Sequence, residues 1–175
     1  MTDIRINKKL FIYNMHQDDP RKCTSAKLIR FKFAKPIYRW NRMLRKAVVL
    51  NPFAQEIFFP GDKYTLEKYG IIAIDCSWAK RQEVFLKKFP GINLRLPILL
   101  AANPTNYAKP QKLSTVEALT ASLYICDFRR EAENLIGIFN WGHTFLQLNR
   151  EPLEEYRLAK SKGEIHSIEK SYFYC

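Results

Sequence analysis

The sequence predicts an α/β protein, with a mainly parallel sheet in its first half and a helical second half. Three observations predict it. Four short apolar runs each end at a polar or proline-marked corner, as buried strands do. Those runs lack the in-out alternation of a half-exposed antiparallel sheet, so both faces of the sheet are expected to be covered. Beyond about residue 112, apolar residues recur at helical spacing.

The strands are read in order. Leu10-Phe11-Ile12-Tyr13 leads into His16-Gln17-Asp18-Asp19-Pro20, and Ala47-Val48-Val49-Leu50 stops at Asn51-Pro52. Ile71-Ile72-Ala73-Ile74 stops at Asp75-Cys76-Ser77-Trp78, and Pro97-Ile98-Leu99-Leu100-Ala101-Ala102 stops at Asn103-Pro104. Between them, Ser25 to Phe33 forms a helix capped by Thr24, or one that starts earlier with Asp19 as cap and Pro20 in its first turn. Tyr64 to Tyr69 is a short helix closed by Gly70. The clearest helix runs from Leu113 to about Cys126, where Ser114 and Glu117 have capping-box spacing and Val116, Leu119 and Leu123 share a face. Arg129 to Phe139, His143 to Leu148 and Glu151 to Lys160 follow, and from Lys162 the signals are weak. The expected division is a basic α/β domain over 1–95 and a mainly helical domain over 96–175. No Pro/Gly/Ser linker separates them, so a continuous fold with a shared cleft is expected, and ligands of such sheets settle outside the carboxyl ends of the strands.

Composition narrows the class. With 47% hydrophobic and 14% aromatic residues, the chain can bury enough apolar surface to offset its ordering entropy. No apolar run approaches the ~20 residues that span a bilayer, and Met1 to Arg5 hold no signal-peptide core, so a cytoplasmic protein is expected. Cys23, Cys76, Cys126 and Cys175 are widely spaced, as are His16, His143 and His166, which argues against a zinc site or a disulfide framework. The net charge of +12 is uneven: residues 1–50 carry 13 Lys/Arg against 3 Asp/Glu. There the cations interleave with aromatics, Arg30-Phe31-Lys32-Phe33 and then Tyr38-Arg39-Trp40, a mix that suits phosphate neutralisation and base stacking. RNA is the expected partner.

Common cofactor signatures are absent. There is no Gly-x-Gly-x-x-Gly, no Walker lysine loop and, with 6 glycines, no glycine-rich phosphate cradle. No Ser/His/Asp arrangement for nucleophilic catalysis is visible either. The chemistry is therefore sought at the corners.

Five segments form an ordered series: Asp18 to Ser25; Asp75-Cys76-Ser77-Trp78; Leu96-Pro97 through Ala101 to Tyr107; Lys112 to Leu119; and Trp141-Gly142-His143 with Leu148-Asn149-Arg150. The series resembles the ribosome-biogenesis aminocarboxypropyltransferases of archaea and eukaryotes, in family order from about Leu10 to Tyr156. The resemblance implies a SPOUT-like fold with a knotted cofactor-binding region. It also implies transfer of the 3-amino-3-carboxypropyl group of S-adenosylmethionine to a ring nitrogen of a hypermodified pseudouridine, N1-methylpseudouridine, in small-subunit rRNA. A monomer is implied as well. On the same resemblance, Thr24 contacts the methionine part of the cofactor, Ile74 and Trp78 border it, and Leu50 and Pro52 wall the pocket. Leu96 and the backbone from Gln111 through Leu113 to Thr115 would bind ribose and adenine; the family often has an aromatic where Gln111 stands, which favours a backbone contact there.

Each assignment has a plainer alternative. Capping alone explains Thr24 and Ser114, and core packing explains Trp78. Asp75 is the positional candidate for general base, yet an ordinary Asp with pKa ~3.9 is a weak base, and bonding to loop amides explains it equally. Asp18 and Asp19 read as helix caps or anchors for Arg21 and Lys22, and His16 and His143 as structural. Arg21, Lys22, Lys27 and Arg30 are the candidates for holding RNA phosphates. The competing functions are an rRNA methyltransferase using the same cofactor and a non-catalytic rRNA-binding assembly factor.

Overall fold

The computed structural model describes residues 8–14, 24–42, 44–76, 81–85 and 89–174. The chain divides into two compact units, Met1–Glu56 with Tyr64–Arg95, and Ile57–Lys63 with Leu96–Cys175.

The first unit is built on a five-stranded sheet: β1 (Leu10–Asn14), β2 (Lys35–Ile37), β3 (Val48–Leu50), β4 (Ile71–Asp75) and β5 (Ile92–Leu94). Their spatial order is β2-β1-β4-β3-β5, and every pairing is parallel. Burial on both faces explains the unbroken apolar runs. On one face Val49, Ile72 and Ile74 pack with Ile37, Leu44, Ala47, Val84 and Phe85, flanked by Phe11, Tyr13 and Trp40. Leu10, Ile12, Val48, Leu50, Ile71 and Ala73, from the alternate positions, are buried as well. The connections carry α1 (Thr24–Arg30), α2 (Lys63–Tyr69) and α3 (Arg81–Phe85), of which α1 and α2 bury Leu28 and Leu66 completely. Helix α2 stops where the chain must turn straight into β4. Gly70 adopts φ 93°, and a Cβ there would stand 2.5 Å from the Lys9 carbonyl oxygen, so the position requires glycine.

The second unit is helical: α4 (Thr115–Ile125), α5 (Arg129–Ile136), α6 (Gly142–Leu148), α7 (Arg150–Leu158) and α8 (Lys162–Phe173). Helix α4 is its centre, packed against α5 and α7, and most of its residues are buried. Its expected capping box is present, with Ser114 as N-cap and Glu117 at the third position.

Three expectations are corrected. The run Pro97 to Ala102 forms no sheet strand; only Leu100 makes an isolated antiparallel bridge, to Pro110. The run is buried, but its backbone groups find partners outside any sheet. Strands β2 and β5 and helix α3 had no sequence signal: Lys35-Pro36-Ile37 and Ile92-Asn93-Leu94 hold no continuous apolar run, and the five residues of α3 are too few for a helical period to show. The weak segment from Lys162 is the 12-residue α8, capped by the Ser161 hydroxyl, which accepts from the Glu164 amide at 3.2 Å. It buries only Ile165 and Glu169, so no apolar stripe marks it.

Candidate functional site

In the first unit the polar groups gather at the carboxyl ends of the strands. Asn14 and Asp75 end β1 and β4 side by side in register. After β3 the buried Asn51 builds the corner: its Oδ1 accepts from the Phe53 amide at 3.0 Å, and its Nδ2 donates to Asn93 Oδ1 at 3.1 Å. The Asn51 amide donates to the Leu94 carbonyl at 2.9 Å, which fixes the same corner to β5. At the start of α1 the Ser25 hydroxyl is fully buried without a hydrogen-bond partner among the described residues, whereas nearly all buried hydroxyls have one.

In the second unit the extended run 97–102 is held along two edges. Along one edge, Leu99 O accepts from the Gln111 amide at 2.9 Å, and Ala101 exchanges bonds with Lys109 O at 3.1 Å and the Ala108 amide at 2.7 Å. Along the other edge, side chains replace a neighbouring strand. The Ile98 amide donates to Glu169 Oε1 at 2.9 Å, and the Tyr156 hydroxyl donates to Ile98 O at 3.0 Å. Asn149 brackets Leu100, accepting from its amide at 2.7 Å and donating to its carbonyl at 2.9 Å. The Ala102 and Asn103 amides donate to Glu117 Oε1 at 2.6 and 3.0 Å.

Glu117 also binds the far end of the loop. Its Oε2 accepts from the Ser114 amide and the Ser114 hydroxyl, both at 2.7 Å, and from Asn103 Nδ2 at 2.8 Å. One buried carboxylate thus ties the loop 103–114 at both its ends. Within that loop Ala108 and Gln111 adopt left-handed backbone, φ 59° and 58°, a strain of the order of 1 kcal/mol each for residues with a Cβ. Strained backbone held by a buried anchor is characteristic of loops shaped for a ligand. The main-chain N–H groups of Lys112 and Leu113 have no partner among the described residues.

The structure distributes the expected site residues as follows. Thr24 is half-buried in the first turn of α1, and Leu50 is buried at the end of β3, followed by the exposed Pro52. Leu50 pairs in register with Ala73, so Ile74 points to the opposite face, where its side chain packs in the apolar cluster. Ile74 therefore has only main chain to offer a ligand beside Leu50. Asp75 is half-buried and engaged with neighbouring groups. In the second unit Leu96 precedes the anchored run, Gln111 exposes its side chain while its amide is bonded to Leu99, and Leu113 and Thr115 are half-buried at the start of α4. Of the basic residues, Lys27 is half-buried, and Arg30 is exposed with its guanidinium 5.2 Å from the Phe31 ring centroid. Arg21, Lys22, Trp78, His16, Asp18 and Asp19 lie outside the described residues.

Sequence reasoning missed the anchoring residues Asn103, Asn149, Tyr156 and Glu169, and saw in Glu117 only a cap. A paired signal existed in the two asparagines, each inside a motif of the ordered series and each buried. Among the described residues Cys76 and Cys126 form no disulfide, and no group of His, Cys, Asp and Glu could hold a metal ion. No described helix is long and apolar enough to cross a membrane.

An all-parallel sheet with its polar corners at the carboxyl ends defines an α/β protein of the ligand-binding kind. The family described as "Ribosome biogenesis protein, C-terminal" matches residues 48–173, and the chain belongs to that family. Its relatives include the 16S rRNA aminocarboxypropyltransferase of Methanosarcina mazei, 45% identical, covering 93% of this chain and 94% of the relative. The protein of the same name from Methanocaldococcus jannaschii is 44% identical, covering 94% and 95%. Among solved structures the fold is similar to the SAM-dependent rRNA:acp-transferase Tsr3 from Vulcanisaeta distributa, with a TM-score of 0.83 and 34% identity, covering 95% of this chain and 98% of that one. A second family, "Possible Fer4-like domain in RNase L inhibitor, RLI", matches residues 9–37. That segment contains a single cysteine, Cys23, and so lacks the four thiolates an iron–sulfur cluster takes.

Proposed function

We propose that the protein transfers the 3-amino-3-carboxypropyl group of S-adenosylmethionine to N1-methylpseudouridine in small-subunit rRNA during ribosome biogenesis. The observation that carries the reading is a likeness running along nearly the whole chain in both sequence and fold, to proteins named for this transfer. In the same reading the protein is a cytoplasmic monomer that meets the pre-ribosomal subunit, and its cofactor-binding region has the knotted SPOUT-like path.

The residues present suit such a ligand. The Ser25 hydroxyl, without a partner among the described residues and next to Thr24, would offer a polar contact at the start of α1. The N–H groups of Lys112 and Leu113, without partners among the described residues, would offer donors on a pinned loop, and Leu113 an apolar surface for adenine. Thr24 would take the methionine end, Leu50 and Pro52 the wall, Ile74 a main-chain contact and Trp78 the sulfonium side. Leu96, Gln111, Leu113 and Thr115 would take ribose and adenine.

When bound, the sulfonium supplies three electrophilic carbons, and orientation decides which one meets the nucleophile. The base's ring nitrogen forms a bond to the carboxypropyl carbon, that carbon's bond to sulfur breaks, and methylthioadenosine leaves. The ring nitrogen's proton goes to water or to Asp75, whose place at the end of β4 suits positioning first and proton transfer second. Arg21, Lys22, Lys27 and Arg30 would hold RNA phosphates. Incubation with small-subunit rRNA and S-adenosylmethionine labelled in its carboxypropyl portion tests the reading. Label in RNA with methylthioadenosine released is expected; label left in small molecules, or S-adenosylhomocysteine as product, overturns it.

A further inference from the structure

We propose that Tyr38 and Arg39, with Arg42 on the same loop, form a docking platform for single-stranded RNA beside the reactive base. The inference rests on the reading of the protein as an rRNA-modifying enzyme, and it adds a contact surface separate from the basic residues of α1 and its approach.

The platform follows from where the edge strand ends. Ile37 of β2 is level with Tyr13 of β1, and Tyr13 is level with Ile74 of β4. Tyr38 therefore leaves the sheet at the same edge as Asn14 and Asp75. At about 4.8 Å between neighbouring strands, its backbone lies about 10 Å from that of Asp75. This distance suits a nucleotide next to the one being modified.

Tyr38 lies on the surface and is 74% exposed, and it makes no ring contact or hydrogen bond among the described residues. The residues that follow it are nonetheless packed against the unit. Trp40, two residues on, packs on Tyr13 at 5.8 Å and Phe89 at 6.2 Å between ring centroids. Asn41 Oδ1 accepts from the Leu44 amide at 2.9 Å. An exposed aromatic face next to a packed anchor such as Trp40 suits base stacking, because less ordering entropy is then lost on binding.

Charge selects the partner. From Arg21 to Gln55 there is no Asp or Glu, and the exposed Arg39, Arg42 and Arg45 form no ion pair among the described residues. A merely solubilising surface intersperses both signs, as in the second unit, where Arg157 meets Asp127 at 3.1 Å and Glu154 at 2.7 Å. Unpaired guanidiniums beside an exposed ring match a polyanion that carries bases.

The test uses the full chain with a single-stranded oligonucleotide spanning the modified position, read by fluorescence anisotropy, and with rRNA for transfer kinetics. Tyr38→Ala is expected to weaken RNA binding and raise KM for RNA roughly 5- to 100-fold, leaving KM for S-adenosylmethionine and the melting temperature unchanged. Tyr38→Phe keeps the ring and should restore binding to within about twofold. Arg39→Gln should flatten the dependence of log affinity on log salt by about 0.7. Unchanged RNA affinity in Tyr38→Ala overturns the platform, as does a Tyr38→Phe variant as weak as Tyr38→Ala. A defect confined to assembled pre-ribosomal particles, with naked RNA bound normally, also overturns it and assigns the face to a protein. Anisotropy needs no catalysis, so a wild-type chain that binds RNA through Tyr38 but transfers nothing would refute the proposed reaction alone.

Discussion

Replacing Glu117 by Gln removes a charge and an acceptor while keeping the side chain's shape, and it should loosen the loop 103–114 more than any surface change could. Five donor groups converge on the carboxylate: the amides of Ala102, Asn103 and Ser114, the Ser114 hydroxyl and Asn103 Nδ2. Two of them meet Oε1 and three meet Oε2. Whichever way the Gln amide turns, its NH2 faces at least two of these donors. A buried donor left without an acceptor costs about 1–3 kcal/mol, and the Ser114 hydroxyl alone can rotate away. The expected loss is therefore about 2–6 kcal/mol, or a melting temperature lower by about 4–24 °C for a chain of this size. Thermal unfolding followed by circular dichroism measures it, with the exposed Glu133→Gln as control. Hydrogen exchange should quicken at the Ala102 and Ser114 amides before it does in the middle of α4. A loss under about 0.5 kcal/mol, or exchange at those two amides as slow as in wild type, would refute the anchoring role.

Two further predictions concern pH and the cofactor. Burial, aided by its bond to the Glu154 carboxylate, pushes the Tyr124 hydroxyl up to about 12, from an ordinary 10.0. A pKa raised by folding contributes stability that is whole below the ordinary value and is lost as pH climbs towards the folded one. Tyr124→Phe should thus melt below wild type at pH 8, by about 1 kcal/mol, with the gap closing between about pH 10 and 12; a constant gap would sink the assignment. The bonds from Tyr124 and then Arg157 hold Glu154 below its ordinary 4.5, so its contribution is present above that value and fades as pH falls beneath it. Trp78→Ala should raise the dissociation constant for S-adenosylmethionine by roughly 2- to 30-fold in calorimetry, the range an indole–sulfonium contact supplies. Equal affinity would remove Trp78 from the site.

Legibility in the sequence followed the range of the interactions. Elements specified by their own periodicity were readable: β1, β3, β4, the capped α4 and the Gly70 stop all lie where pattern and cap residues put them. Elements specified by neighbours were not. β2 is Lys35-Pro36-Ile37 and β5 is Ile92-Asn93-Leu94, sequences that become strands because β1 and β3 offer them an edge to pair with. The same limit governs the site. The Ser114–Glu117 cap spans three residues and shows in the sequence, whereas the bonds from Ala102 and Asn103 to Glu117 span 15 and 14 residues and do not.

The misread run Pro97 to Ala102 shows why an apolar pattern specifies burial more firmly than it specifies a sheet. A buried backbone must pair its N–H and C=O groups, and a neighbouring strand is only the commonest way to do so. Here the main chain of residues 108–111 pairs one edge, and Glu117, Asn149, Tyr156 and Glu169 supply the pairing along the other, drawn from α4, the α6–α7 junction, α7 and α8. A strand partner would have left the run's register to backbone alone. Side-chain partners tie its position to how those helices pack, so the loop that follows, with its two left-handed residues, inherits its shape from the core of the helical unit. The polar residues buried there are thus part of the proposed site's construction, although none of them needs to touch a ligand.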